Sequence, residues 1–471
     1  MLDEDKISLI VKRVLENLES TSPSNESKVS NAKASLTSER GIFADLDTAM
    51  YACHTAQRAF EKMSLKKRKE IIQSIRDECV KNAQRLAEMA VECTGYGRVD
   101  DKTQKNINAA VLTPGVEDIP SKIMTGDNGA TFIERVPMGL IVALTPATHP
   151  AALIINNAIA MLSGGNSIFV CPHPAAQTAS RETIKVINDA IVKAGGPENL
   201  IVALDRVDLK LVDAACRHKY CDMISATGGP AVEEMALKCG KKAIVGGPGN
   251  PPVLVDETAD IKKAAKAIID GGTFDNNVLC IAEKEIIAVS SIADELLYEL
   301  SKNKCYMLDS KEAKDVTELV VIDGKVNKKY IGKDASLILN DAGIHVTEDY
   351  RAAIMDVPFE HPLVGIEQML PVFPLVRARD FEEALKYAKE AEHGFGHTAM
   401  IHSKDIERIT RYGREMNVII MVANAPSGAG LNVKGEGHYT HTISDTGEGV
   451  CTPVDFTKER RFIIGNSLRF V

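Results

Sequence analysis

The stretch GGTFDNNVLCIAEKE, Gly271 to Glu285, sets one cysteine in surroundings that could do chemistry. Cys280 follows Asp275, Asn276 and Asn277 and two apolar residues, and a charged run comes after it. A thiol placed so is a buried structural sulfur, a metal ligand or a nucleophile. A structural cysteine is usually packed among aliphatic residues. Gly271, Gly272 and the Asn pair favour a loop instead. Asn side chains and backbone N–H groups of such a loop would steady a thiolate or an oxyanion.

Other residues could hold a nucleotide. CDMISATGGP ends in Thr227, Gly228 and Gly229, and Pro230 suits the first turn of a helix. Glycines let a backbone approach a pyrophosphate, and a helix N-terminus offers free N–H groups. The full GxGxxG fingerprint is absent, so a plain strand-to-helix turn stays open. TPATHP (Thr145–Pro150) and CPHP (Cys171–Pro174) also follow strand-like runs. Glu367, before the apolar run PVFPLV, is a solvated edge or a holder of ribose hydroxyls. His397, in GFGHTAMIHS, lies at a turn before an apolar strand. His438 and His441 form HxxH, but Gly435 and Gly437 argue against a zinc-binding helix, and no metal is expected.

The elements that must position these residues alternate. GLIVALTP, NSIFVCP, NLIVAL, CDMISATG, KAIVGG and PPVLVD read as strands. Helices are expected at Ala151–Leu162, Gln177–Lys193, Lys210–Cys216 and Val232–Cys239. This is the βαβ rhythm of a parallel, doubly wound sheet. A second series with the same rhythm runs from about Pro251 to Asn432, so two α/β lobes are expected. From Gly435 the chain reads as extended strands. Ligands in such sheets bind at the carboxyl ends of the strands.

Composition excludes several classes. The chain has 471 residues, 45% of them hydrophobic and 26% charged, which suits a large globular α/β protein. A net charge of -9 argues against nucleic-acid binding. No apolar run reaches membrane-spanning length, so no membrane partner is expected. The ten cysteines include no CxxC pair and read as reduced thiols of a cytosolic compartment.

The N-terminal residues 1–18 carry Ile7, Val11, Val14 and Leu18 at helical spacing. An amphipathic helix is expected there, followed by a serine-rich flexible linker over 19–41. Such a helix folds back on its own body or an oligomeric partner, or docks on another protein.

Taken together, these segments resemble the aldehyde dehydrogenase superfamily, and most of all its CoA-acylating branch. The pieces that carry the likeness include YGRVDDK (Tyr96–Lys102), NNAIAMLSGGNSIFVCPHPAA (Asn156–Ala176), GPGNPPVLVDETADI (Gly247–Ile261), FDNNVLCIAEKE and GHTAMIHS. They span about Gly41 to the C-terminus. The likeness is greatest to bacterial microcompartment propionaldehyde and acetaldehyde dehydrogenases, which also carry a short packaging helix and a linker. The resemblance implies a Rossmann-like nucleotide domain over 42–246, with 113–136 lent to an oligomerisation arm. It implies an α/β catalytic domain over 247–434 and arm strands over 435–471.

The resemblance makes Cys280 the nucleophile, His397 the base and Glu367 the ribose-binding acid. Thr145, Pro146, Pro172, His173, Thr227, Gly228, Gly229, Gly246 and Gly247 fall where the family lines its nucleotide groove. Thr148 stands where hydrolytic relatives have an oxyanion-donating asparagine, and Asn276 is a second candidate donor. Hydrolytic relatives also carry a glutamate before the Gly-Gly pair; here Ile244 and Val245 precede Gly246 and Gly247. The expected reaction is therefore oxidation of a short aldehyde with NAD, the acyl group leaving Cys280 on coenzyme A. Expected partners are the aldehyde, further copies of the chain as dimer or tetramer, and microcompartment shell or core proteins bound by residues 1–18. The expected location is the cytoplasm, inside a microcompartment lumen. Hydrolytic and phosphorylating dehydrogenases are the alternatives.

Overall fold

The computed structural model describes residues 39–469. The expected helix over 1–18 and nearly all of the linker over 19–41 lie outside them.

Leu140–Thr145 and Ser167–Pro172 are buried at every position. Continuous apolar runs of this kind belong in parallel sheets covered on both faces. They sit in the middle of a parallel six-stranded sheet in the order Ile42–Phe43, Ile201–Leu204, Ser167–Pro172, Leu140–Thr145, Cys221–Thr227, Lys242–Gly246. Helices Ala152–Ser163, Gln177–Lys193, Leu209–Arg217 and Pro230–Leu237 connect these strands, within two residues of the sequence expectation at each start. Ala152–Ser163 is buried all round, because it lies between the sheet side and helices Val99–Leu112 and Gln177–Lys193.

A second parallel sheet of seven strands runs Cys305–Leu308, Ala352–Asp356, Val372–Ala378, Glu285–Val289, Pro252–Val255, Thr398–His402, Ile420–Ala423. Pro252–Val255 joins this sheet, so the chain changes sheets between Gly246 and Pro252. Asp45, Ser64, Asp260, Asp380 and Asp405 each cap the helix they precede through a side-chain oxygen.

A third, antiparallel sheet joins Lys122–Gly126 and Gly129–Pro137 to the distant Thr457–Gly465. Its last strand leaves Phe462 64% and Ile463 67% exposed. Among the described residues no helix is long and apolar enough to cross a membrane.

Candidate active site

Cys280 comes three residues after the 3-10 turn Phe274–Asn277 that ends helix Ile261–Gly272. Asp275, Asn276 and Asn277 hold φ of +53°, +55° and +67°. Three successive left-handed residues are tolerable here because Asp and Asn enter that region more readily than bulkier residues. Their side chains then fix the turn. Asp275 accepts from the Arg98 N–H at 3.0 Å, from Lys102 Nζ at 2.9 Å and from Lys105 Nζ at 2.6 Å. Asn276 Nδ2 donates to Gly332 O and to Asp334 Oδ1, both at 3.0 Å. Asn277 Nδ2 donates to Gly272 O at 2.7 Å and Glu283 O at 2.8 Å. Both amide hydrogens of Asn276 are thus committed to the loop opposite, leaving none for an oxyanion.

The same lysines bind the turn after Leu140–Thr145. Lys102 donates to Thr148 O at 3.1 Å, and Lys105 meets His149 Nδ1 at 3.0 Å. One buried carboxylate therefore ties the Thr148 turn to the Cys280 loop through two buried ammonium groups.

Cys280 itself is half-buried. Burial and the Glu367 carboxylate push its thiol up to about 11, while Lys284 and Lys105 oppose them. His397 is buried and sits at the start of strand Thr398–His402. Its N–H donates to Glu392 Oε1 at 2.9 Å, and its Nδ1 lies 2.8 Å from Thr398 Oγ1. Burial holds the imidazole below its ordinary value, against the pull of Glu367, Glu392 and Asp445. It is therefore neutral, and fit to accept a proton, at neutral pH.

Gly249 is where these residues meet. A Cβ there would stand 2.7 Å from Cys280 O and 3.0 Å from the His397 ring. The Gly249 N–H donates to the Glu367 carboxylate, which burial raises and Lys284 and His397 lower. A cavity of about 1130 Å³ opens beside them, lined by Leu279 and Ile281 on either side of Cys280 and by Lys105, Tyr439 and His441.

The nucleotide candidates fall in one row. Thr145 pairs in register with Pro172, Leu144 with Ala226, and Thr227 with Gly246, so four neighbouring strands end side by side. Strand order reverses between Leu140–Thr145 and Cys221–Thr227, the crevice where open α/β sheets bind ligands. Thr145 Oγ1 is buried there without a partner. A Cβ on Gly229 would meet nothing within 4 Å, just before helix Pro230–Leu237. Pro146 follows Thr145 at the rim, and His173 is exposed, its Nδ1 accepting from Ala175 N at 3.2 Å. An open, donor-bearing cradle with an unpaired hydroxyl fits a dinucleotide. Gly246 is needed as glycine, since a Cβ would lie 2.3 Å from Ile443 O.

Two features escaped the sequence reading. Glu283, Lys284 and Glu285, a charged run on paper, are each completely buried. The signal for this was the wholly apolar IIAV that continues the strand Glu285–Val289. Second, no carboxylate was expected beside Gly246 and Gly247. The fold supplies two from elsewhere: Asp445 Oδ2 and Glu233 Oε2 would stand 3.1 Å and 3.4 Å from a Cβ on Gly247.

Known proteins resemble this chain in sequence and fold. The aldehyde dehydrogenase family profile matches residues 11–438. The acetylating acetaldehyde dehydrogenase EutE of Salmonella typhimurium is 39% identical, over all of both chains. A propionaldehyde dehydrogenase of Rhodopseudomonas palustris, solved with bound CoA and an acylated cysteine, is 40% identical with a TM-score of 0.89, over 91% of this chain and 99% of that one. The propionaldehyde dehydrogenase of the Clostridium phytofermentans fucose utilisation microcompartment is 43% identical with a TM-score of 0.91, over 92% of this chain and 100% of that one. With a cysteine, a histidine and a carboxylate gathered at Gly249 beside a row of nucleotide-type strand ends, and with matches running almost end to end, this chain belongs to the aldehyde dehydrogenase family.

Proposed function

We propose that the protein oxidises a short aldehyde with NAD and passes the acyl group to coenzyme A through a thioester on Cys280. The observation that carries this reading is the convergence of Cys280, His397 and Glu367 on Gly249. The relatives named above, an acetylating dehydrogenase and a propionaldehyde dehydrogenase with an acylated cysteine, support the acceptor and the covalent intermediate. Propionaldehyde is the first choice of substrate and acetaldehyde the second.

The Cys280 thiolate attacks the carbonyl carbon; a C–S bond forms and the carbonyl pair moves to oxygen. The Cys280 N–H and the Thr148 hydroxyl are the donors assigned to that oxyanion. Asn276, with both hydrogens committed, holds the turn instead. Thr145, Pro146, Pro172, His173, Thr227, Gly228, Gly229, Gly246, Gly247 and Glu367 would hold the dinucleotide. A nicotinamide held there would supply the acceptor for the hydride of the adduct carbon. Cys280 then carries the acyl group as a thioester. The thiol of coenzyme A gives its proton to neutral His397 and attacks the acyl carbon, and the Cys280 sulfur departs as thiolate.

Residues 42–246 act as nucleotide domain, 247–434 as catalytic domain, and 435–471 with 113–136 as an oligomerisation arm. The exposed Phe462 and Ile463 support a homo-oligomer through that arm. The microcompartment origin of one relative supports packaging by residues 1–18 into such a lumen.

The test is a product assay with propionaldehyde and NAD, with and without coenzyme A. Propanoyl-CoA is the expected product, and Cys280→Ala should show neither turnover nor an acyl adduct. Free acid formed at full rate without coenzyme A would sink the proposal.

A further inference from the structure

Lys284 is completely buried, four residues past Cys280 at the mouth of strand Glu285–Val289. Its ammonium donates to Asn277 O at 3.0 Å, Asn277 Oδ1 at 2.5 Å and Leu279 O at 3.1 Å. An ammonium has three hydrogens, and all three go to the segment that delivers Cys280. Each acceptor is a neutral oxygen, so no contact cancels the charge. Burial pulls the ammonium below its ordinary value, and Glu367, Cys280, Glu285 and Glu283 act through space to hold the proton on it. His397 also feels the charge, which lowers the imidazole further. Of the acids, both Glu285 oxygens are buried without a partner, and burial pushes that carboxyl well above its ordinary value. Glu283 is occupied by the Ser427 N–H and hydroxyl, at 2.9 Å and 2.8 Å.

We infer that Lys284 is the positioning residue of the nucleophile: its three N–H groups pin the 277–279 segment, and its charge stabilises the Cys280 thiolate. Leu279 O, one of its acceptors, belongs to the residue bonded to Cys280, so the geometry and the charge act at one place. A loop that needed only hydrogen bonds would be served by a neutral donor at a smaller desolvation cost. Charge matters at this cysteine because burial and Glu367 both disfavour the thiolate.

The inference rests on Cys280 being the nucleophile, and its test reads the sulfur directly. The rate of Cys280 alkylation by iodoacetamide is followed against pH by peptide mass spectrometry, with no aldehyde or cofactor present. Lys284→Met should raise the apparent thiol pKa by about one unit or more, roughly tenfold slower alkylation on the rising limb. Lys284→Arg, which keeps the charge, should stay within about threefold of the wild-type rate. An unchanged profile in Lys284→Met, even with a lowered melting temperature, overturns the inference and leaves a purely structural lysine. Where Lys284→Met yields no folded protein, Lys284→Arg decides: a wild-type profile supports the charge, and a rise of a unit or more in the folded variant overturns it. Failure of the proposed function would be seen separately, as wild-type enzyme without an acyl adduct on Cys280.

Discussion

Gly249→Ala is the smallest change that reaches both the nucleophile and the base. The added methyl carbon would sit 2.7 Å from Cys280 O, 3.0 Å from His397 Cγ and 3.3 Å from His397 Nδ1. Ordinary contacts of this kind lie near 3.5 Å, so the carbonyl must retreat by roughly 0.8 Å and the ring by about 0.5 Å. Neither is the free end of a flexible chain. The carbonyl belongs to a loop held by Lys284 and Asn277, and His397 is held by Glu392 at its backbone N–H and by Thr398 at its ring. Alanine keeps the N–H that Glu367 accepts, so the perturbation is steric.

Overpacking of this kind costs about 1–3 kcal/mol of stability. The kinetic effect should be larger, because a misplacement of about 1 Å can cost about 100-fold. Here the nucleophile's loop and the base that serves its acyl transfer are wedged apart, and a loss of roughly 10- to 100-fold in kcat is expected. The assay is steady-state NADH formation with propionaldehyde and coenzyme A, alongside thermal melting. Gly126→Ala is the control, since a Cβ there meets nothing within 4 Å. A folded Gly249→Ala enzyme with kcat within about twofold of wild type would refute the placement of Cys280 and His397 around Gly249.

Two further outcomes follow from buried charges. Asp275→Asn removes the carboxylate shared by Lys102 and Lys105 and strands two buried cations; it should cost about 3–5 kcal/mol in chemical denaturation, and a loss below about 1 kcal/mol would show the cluster to be dispensable. Glu283 is pushed up to about 7 by burial, from 4.5. The unfolded chain therefore releases this proton first, and stability should fall by about 3 kcal/mol as pH rises from 4.5 through 7. Glu283→Gln should flatten that part of the stability profile, and an equal slope in both proteins would place the titration elsewhere.

The alternation of elements was legible because parallel strands announce themselves. LIVALT and SIFVCP are apolar at nearly every position, and the helices between them keep the right spacing. The nucleotide row was legible for the same reason: Thr145, Pro172, Thr227 and Gly246 are where those runs stop. The Cys280 loop was legible as a loop from its Asn pair, although Gly271 and Gly272, read as part of that loop, end the helix before it. What its side chains do was not. Asn276 has the side chain of an oxyanion donor, but its amide hydrogens go to Gly332 and Asp334, which the sequence places 56 and 58 positions away. Lys102 and Lys105 sit on a helix whose sequence reads as a polar face, and only the fold brings them to Asp275. Charged residues are presumed solvated unless paired, and the partners here lie some 170 positions along the chain.

Asp445 and Glu233 change the argument about what removes the acyl group. The absence of an acid in the Ile244–Gly247 segment favoured coenzyme A over water, yet two carboxylates stand beside Gly247 all the same. A carboxylate near the site is not by itself a base for water, because a general base must reach the proton it takes. Cys280 shares Gly249 with the His397 imidazole and with the Glu367 carboxylate, which already accepts from the Gly249 N–H, while Asp445 and Glu233 stand at Gly247. Burial lowers that imidazole and keeps it neutral, while Glu367, Glu392 and Asp445 keep it from being too weak a base. A thiol ionises near 8.5 and water near 15.7, so a neutral histidine is matched far better to the first proton than to the second. The preference for a thiol acceptor thus rests on which base is next to Cys280.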